Sequence, residues 1–263
     1  MLPAEQIVVV LVEPQDAVNV GGVIRVMLNF GLQQLRLVRP APGAVDLARL
    51  DDVAHRSEGI VQRLTVVHTL AQALADVTHV AGTTARPRTR PGDTSTPRAA
   101  APDLLHQADC GKLALVFGPE RTGLSNRDLD LCHVVLTIPT APAYPSLNLA
   151  QAALLVGYEL WLAGQTPGAP APSAGVSQAG HHPTAGSVAH AGGAPASVGD
   201  LEGLFGEMTH ALRAVGFLKP GQEAAVMRRL RAVVHRARPT TDEATLLRAA
   251  AREINKYVER GSS

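Results

Sequence analysis

The chain has 263 residues, 46% of them apolar and 18% charged, with a formal net charge of +1, a balance ordinary for a globular protein with room for one full domain and a smaller one. Its two cysteines, Cys110 and Cys132, have no second Cys or His at ligand spacing, which argues against a disulfide framework or zinc site and predicts no bound metal. No apolar run approaches the roughly 20 residues of a membrane span, and no basic-then-apolar leader precedes residues 7–12, so the expectation is a cytoplasmic protein without membrane contact.

Residues 6–12 (QIVVVLV) form a short β-branched run ending at Glu13-Pro14, the pattern of a buried strand. A helix comes next over 19–31, opened by Asn19 as its cap and closed by Gly31. Residues 35–38 and 64–67 read as the second and third strands, with a helix between them over 46–56; a helix over 70–75 precedes a fourth strand at 78–83. Strands at 112–117 and 134–138 and a helix over 147–162 complete an alternation that predicts an α/β fold, a mostly parallel sheet covered on both faces.

The basic segment 83–98 carries Arg86, Arg88, Arg90 and Arg98 against Asp93 alone, which marks either a loop that faces phosphates or a solvated surface loop. Residues 165–198 contain no Asp, Glu, Lys or Arg and three histidines, His181, His182 and His190. Such a segment reads as a flexible linker reaching on the order of 30 Å, a loose tether. It divides the chain into 1–164 and a helical extension, 199–263. In that extension Ser197-x-x-Asp200 caps a first helix, 221–237 forms a second, and Thr240-x-x-Glu243 caps a third that buries Leu246, Leu247, Ile254, Tyr257 and Val258. The first part holds 13 Lys/Arg against 15 Asp/Glu, a net of −2, whereas 200–260 holds 11 against 8, a net of +3. Arg228, Arg229 and Arg231 on the second helix are the expected nucleic-acid-binding surface of the bundle.

The turns 118–123 (GPERTG) and 139–148 lie where open α/β sheets bind ligands, beyond the carboxyl ends of strands. The sequence has no G-x-x-x-x-G-K-[ST] cradle, no third glycine after Gly21-Gly22 for a dinucleotide fingerprint, and no G-x-S-x-G elbow. Three ordered motifs remain: N-x-G-G-x-x-R with N-F-G at 19–31, G-P-E-R-x-G-L at 118–124, and I-P-T with P-S-L-N-L-A-Q-A at 138–152. This combination resembles the SpoU branch of the SPOUT RNA 2′-O-methyltransferases. The G-T-T-A-R at 82–86 and L-E-G-L-F at 201–205 resemble one subgroup, the bacterial tRNA (cytidine/uridine-32) 2′-O-methyltransferases; because the three motifs mark the chemistry and not the substrate, the alternatives are another RNA target, ribosomal RNA or the tRNA D-loop, and a non-catalytic RNA-binding protein of the same fold.

The resemblance implies a Rossmann-like parallel sheet with a deep trefoil knot at its carboxyl end, an exception to the general absence of knots, and beyond it a small helical extension. It also implies a homodimer through the knotted domain, tRNA as partner, and S-adenosyl-L-methionine as cofactor, held by Thr83, Thr84, Ala85, Gly118, Ile138, Ser146, Leu147 and Asn148. Arg25 corresponds to the motif arginine regarded as catalytic, with Asn19 and Glu120 as further catalytic residues. Arginine stays protonated in proteins, so its physical role is a fork for a phosphate and for developing alkoxide charge. Glu120 is expected either to hold that fork or balance cationic groups, since a carboxylate matches a guanidinium in paired geometry, or to stabilise its own turn, and Gly118 to allow close backbone approach to the ligand.

Overall fold

The computed structural model describes residues 2–45, 57–85, 94–144, 146–165 and 193–261. Its strands are β1 (Ile7–Val12), β2 (Gln34–Val38), β3 (Thr65–Val67), β4 (His79–Thr83), β5 (Thr94–Ser95), β6 (Leu113–Phe117) and β7 (Val134–Leu136). The helices are α1 (Ala17–Asn29), α2 (Glu58–Val61), α3 (Leu70–Ala73), α4 (Pro97–Cys110), α5 (Asn126–Leu129), α6 (Leu149–Gln165), α7 (Val198–Ala214), α8 (Glu223–Ala237) and α9 (Thr241–Gly261). The 7 strands form one sheet in the order β3-β2-β1-β6-β4-β7-β5, and every adjacent pair is parallel.

β1 is buried along its whole length because its two faces feed two cores. Ile7, Val9 and Leu11 pack with α1, α4 and α6 on one side. Val8, Val10 and Val12 pack with α3 and α5 on the other. The uninterrupted apolar run of a central parallel strand results from this double covering. Two glycines set the spacing of α1 and α6: a Cβ on Gly22 would lie 2.9 Å from the Ala150 Cβ, and one on Gly157 would lie 2.7 Å from the Phe30 ring.

The α/β alternation agrees with the sequence expectation, with three differences. The helix expected over 46–56 lies outside the described residues. The cap of α1 is Asp16, whose side chain accepts from the Val18 N–H; Asn19 sits inside the helix, free for another task. α2, α4, α5 and β5 are additional to the expected elements, although Thr96 at the cap of α4 and Pro97 in its first turn are ordinary start signals.

The three carboxyl-terminal helices share a third core built on Leu201, Phe205, Leu218, Met227 and Ala244. Both capping boxes form, Ser197 with Asp200 and Thr240 with Glu243. The face of α9 differs from the expectation: Leu246, Leu247, Ile254 and Tyr257 are exposed, Tyr257 to 80%, while Ala244, Ala251 and Asn255 are buried. Small residues lie against α7, where Gly203 admits the Arg248 guanidinium at 2.8 Å from its would-be Cβ.

The bundle is seated on the sheet domain, contrary to the loose tether expected from the linker composition; residues 166–192 of that linker lie outside the described residues. The Val198 N–H donates to Val77 O at 2.7 Å and the Gly199 N–H to Ala75 O at 3.2 Å. Arg228 pairs with Asp130 at 2.9 Å and Arg238 with Asp103 at 2.8 Å. Between these ion pairs runs a column of imidazoles. His133, before β7, stacks on His235 of α8 at 4.4 Å between centroids and lies 4.7 Å from His79 of β4.

Candidate functional site

The strand order reverses direction at β1 and β6, which leaves a crevice beyond their carboxyl ends. The turn after β6 closes that crevice. Gly123 adopts φ +64°, and its N–H donates to Pro119 O at 2.8 Å. A Cβ on Gly118 would lie 2.3 Å from the Leu124 nitrogen. Gly118 is therefore required by the turn's own backbone, a reason different from the close ligand approach expected from sequence.

Residues from all three motifs meet at this turn. Asn19 Nδ2 donates to Glu120 Oε1 at 2.9 Å, and Asn148 Nδ2 donates to Asn19 Oδ1 at 2.8 Å. Asn148 Oδ1 in turn accepts from the Ala150 N–H at 2.8 Å, so the same side chain caps α6. Glu120 Oε2 is buried and has no hydrogen-bond partner among the described residues. Glu120 thus engages Asn19, not the Arg25 fork expected for it.

The expected cofactor residues converge from neighbouring strand ends. β4 lies between β6 and β7; Thr83 Oγ1 donates to Val116 O at 3.2 Å, and the Thr84 N–H donates to Leu136 O at 3.0 Å. These bonds bring Thr83, Thr84 and Ala85 beside Gly118 on one side and Ile138 on the other. Thr84 is buried, Ile138 and Leu147 are half-buried, and Ala85, Ser146 and Asn148 are exposed. Sequence reasoning missed Thr137, whose Oγ1 is buried without a partner among the described residues. Its signal was its place next to Ile138 in the turn after β7.

Arg25 is exposed on α1, six residues beyond Asn19 and so roughly 9 Å further along the helix axis. It makes no side-chain bond to the Asn19–Glu120–Asn148 group. Arg86, Arg88 and Arg90 lie outside the described residues. On the bundle, Arg229 is exposed, but Arg228 is paired with Asp130. Arg231 is paired with Glu202 and lies over the Phe205 ring at 4.3 Å. Two of the three expected RNA-binding arginines therefore have structural partners. No group of three His, Cys, Asp or Glu suited to a metal ion occurs among the described residues.

The model of the SpoU rRNA Methylase family matches residues 6–158, the whole of this sheet and its site. The chain belongs to that family. A second family model, the C-terminal domain of tRNA methyltransferase TrmJ, matches residues 199–263. Among SpoU relatives, the tRNA (cytidine/uridine-2′-O-)-methyltransferase TrmJ of Cronobacter sakazakii is 35% identical over 249 residues, covering 93% of this chain and 94% of the relative. The protein of the same name from Escherichia coli K12 is 35% identical, with 96% of each chain covered. The crystal structure of TrmJ from Z. mobilis ZM4 superposes with a TM-score of 0.75 at 31% identity, covering 94% of this chain and 98% of that one. The SpoU match spans the Asn19–Glu120–Asn148 group, and the second match spans the seated bundle.

Proposed function

We propose that this chain transfers the methyl group of S-adenosyl-L-methionine to a ribose 2′-oxygen of tRNA, at the cytidine or uridine of position 32 in the anticodon loop. One observation carries the reading: the hydrogen-bonded chain Glu120–Asn19–Asn148 ties the three motifs together at the crevice where the sheet reverses. Full-length similarity to the tRNA (cytidine/uridine-2′-O-)-methyltransferases supports the tRNA ribose as acceptor. The described residues fit the cofactor. Glu120 Oε2 and Thr137 Oγ1 are buried polar atoms lacking partners, and a bound group with a donor would satisfy the carboxylate.

When bound, the cofactor supplies an electrophilic methyl on a sulfonium. Thr83, Thr84, Ala85, Gly118, Ile138, Ser146, Leu147 and Asn148 would hold it, through backbone groups at the ends of β4, β6 and β7 and apolar walls from Ile138 and Leu147. Asn19 and Glu120 fix Asn148 and the turn, so the pocket's walls keep their positions as the acceptor arrives. A ribose hydroxyl is a weak nucleophile at neutral pH, and it must be oriented and its developing charge stabilised. Arg25 does this as a permanent cation, gripping the neighbouring phosphate and the 2′-oxygen, whose proton passes to that phosphate or to water.

The working unit in this reading is a homodimer through the knotted domain. Leu154, Leu155, Tyr158 and Trp161 leave an apolar face open on α6, and Val18 does so on α1, the helix that carries Arg25. A knot accords with β7 lying inside the sheet between β4 and β5 while α6 returns to the core beside α1. Residues 1–164 carry the chemistry in this reading. The bundle of 199–263, reached through 165–198, contributes exposed basic residues such as Arg229 and Arg236 to tRNA binding, in the cytoplasm.

Incubation with methyl-labelled S-adenosylmethionine and an unmodified tRNA transcript tests this, with the product nucleotide mapped after digestion. Label in a 2′-O-methyl group at position 32 is expected. Cofactor binding without transfer to any tRNA would sink the proposal.

A further inference from the structure

On the far side of the turn 118–123 lies a second cavity, of about 380 Å³, within the range of roughly 300–1,000 Å³ that small ligands occupy. It opens onto the α3 and α5 face of the sheet, opposite the face that carries Asn19 and Asn148 on α1 and α6. Its polar lining comes from Glu13, Arg39, Thr69, Thr122, Ser125 and Arg127. Val12, Leu70 and Leu131 add apolar surface.

The backbone at its mouth is strained. Glu13 and Arg39, one residue past the ends of β1 and β2, take φ +49° and +45°, a left-handed conformation uncommon for such side chains. The Glu13 N–H continues the ladder to Val38 O at 2.7 Å, and the Arg39 N–H continues it to Val67 O at 3.0 Å. The two side chains then join: Arg39 Nε and Nη2 donate to Glu13 Oε1 at 3.0 and 2.7 Å. Arg39 Nη1 donates to His68 O at 2.8 Å. With both partners exposed to more than 40%, solvent screens this pair, which does not offset the strain. What the strain does achieve is a guanidinium held by three of its five N–H groups, its plane fixed at the cavity wall.

A fixed guanidinium plane beside apolar surface and a mixture of donors and acceptors is the environment in which RNA-binding proteins stack and read unpaired bases. A phosphate site would instead need a surplus of cations. Here Glu13 offsets Arg39, and Asp128 offsets Arg127. The exposed Arg127 lies three residues before Asp130, the anchor of α8 through Arg228, so the opening lies beside the seat of the bundle.

The geometry points to a second base-binding cavity, in which Arg39 stacks on an unpaired base of the tRNA loop other than the methylated nucleotide. The inference rests on the tRNA methyltransferase reading, and the two share the turn 118–123: Pro119, Thr122 and Gly123 line this cavity while Glu120 faces the other.

Methyl transfer to anticodon stem–loop RNAs carrying single abasic positions tests it, in the full chain and in two variants. Ala71→Trp fills the cavity from an exposed position; Arg39→Lys keeps the charge and removes the plane. For the parent, one abasic position away from 32 is expected to raise the RNA KM about tenfold, within the range for one stacked base. Each variant should show the same rise on intact RNA and no further rise at that position, with kcat and cofactor affinity unchanged. Variants with the parent's KM, abasic effects additive at every position, or coupling only at the methylated nucleotide overturn the inference while leaving the methyltransferase reading intact. So does an Arg39→Lys variant that behaves as the parent, because it reduces Arg39 to a charge. A folded parent that methylates no tRNA overturns both.

Discussion

The imidazole column between the bundle and the sheet predicts that stability falls steeply in mild acid. Burial pushes His79 down to about 3, with the Arg238 charge adding to the effect, the Asp103 carboxylate opposing it, and His235 lowering it further. Burial also holds His133 well below 6.5, helped by His235, His79 and Arg238. In the unfolded chain both titrate near 6.5. Between about pH 6.5 and the depressed folded values the unfolded state binds the extra protons, so stability is fully present above pH 6.5 and is lost as pH falls toward 3. At pH 5 the His79 imidazole has forfeited about 2 kcal/mol, set against a typical total of about 5–15 kcal/mol, and His133 adds to the loss in the same direction. Urea unfolding at pH 8, 7, 6 and 5, monitored by helical circular dichroism and by the fluorescence of Trp161, the single tryptophan, measures this. The variant His79→Phe/His133→Phe keeps rings in the column without their charge, and its pH slope should be nearly flat between 8 and 5 whatever its absolute stability. A parent equally stable at pH 8 and 5, or a variant with the parent's slope, would refute the reasoning.

The remaining predictions address the site and its supports. Arg25→Ala is expected to abolish methyl transfer while leaving cofactor affinity by calorimetry unchanged, since Arg25 is not among the residues proposed to hold the cofactor; parental turnover would remove it from the mechanism. Asn148→Ala should weaken cofactor binding and also lower the melting temperature, because it removes the α6 cap, worth about 1 kcal/mol, together with the bond to Asn19. Gly157→Ala forces a Cβ to 2.7 Å from the Phe30 ring and should cost about 1–3 kcal/mol in urea unfolding. Arg229→Ala should weaken tRNA binding and reduce its salt dependence by about one counterion, whereas Arg231→Ala should act chiefly on stability, through loss of Glu202 and the Phe205 ring face.

The parallel sheet was legible because each of its central strands is a short β-branched run between turn residues, and β1 is the clearest case. The three motifs were legible as well, but not the bonds among them. Asn19 reads as a helix cap from its neighbours in sequence; only the approach of 118–123 and 146–148 shows that its amide is spent on Glu120 and Asn148. The arginines of α8 posed the opposite problem. A run of positive charge looks solvated when its counterions are 98 residues away, as Asp130 is from Arg228. Helical periodicity likewise identified the apolar residues of α9 without saying which of its faces meets α7, and small Ala244 and Ala251 won that contact over Leu246 and Tyr257.

The seated bundle alters how the linker composition should be understood. A segment without charges or large apolar residues cannot form a core, and composition alone makes the helices beyond it look independent. Yet Asp130, which anchors Arg228, closes the short helix α5 that begins two residues after the motif 118–124 ends. His133, three residues further on, carries the column to His235 and also accepts the Val80 N–H at 3.2 Å, on the strand leading to Thr83. The bundle therefore grips both segments that lead into the proposed cofactor pocket. Removing residues 200–263 should cost the sheet domain stability as well as tRNA affinity: it strips the cover from His133 and takes Arg238 from Asp103 and Arg228 from Asp130. A truncated chain as stable as the parent, with only RNA binding lost, would show that the seam is a resting place and not a support.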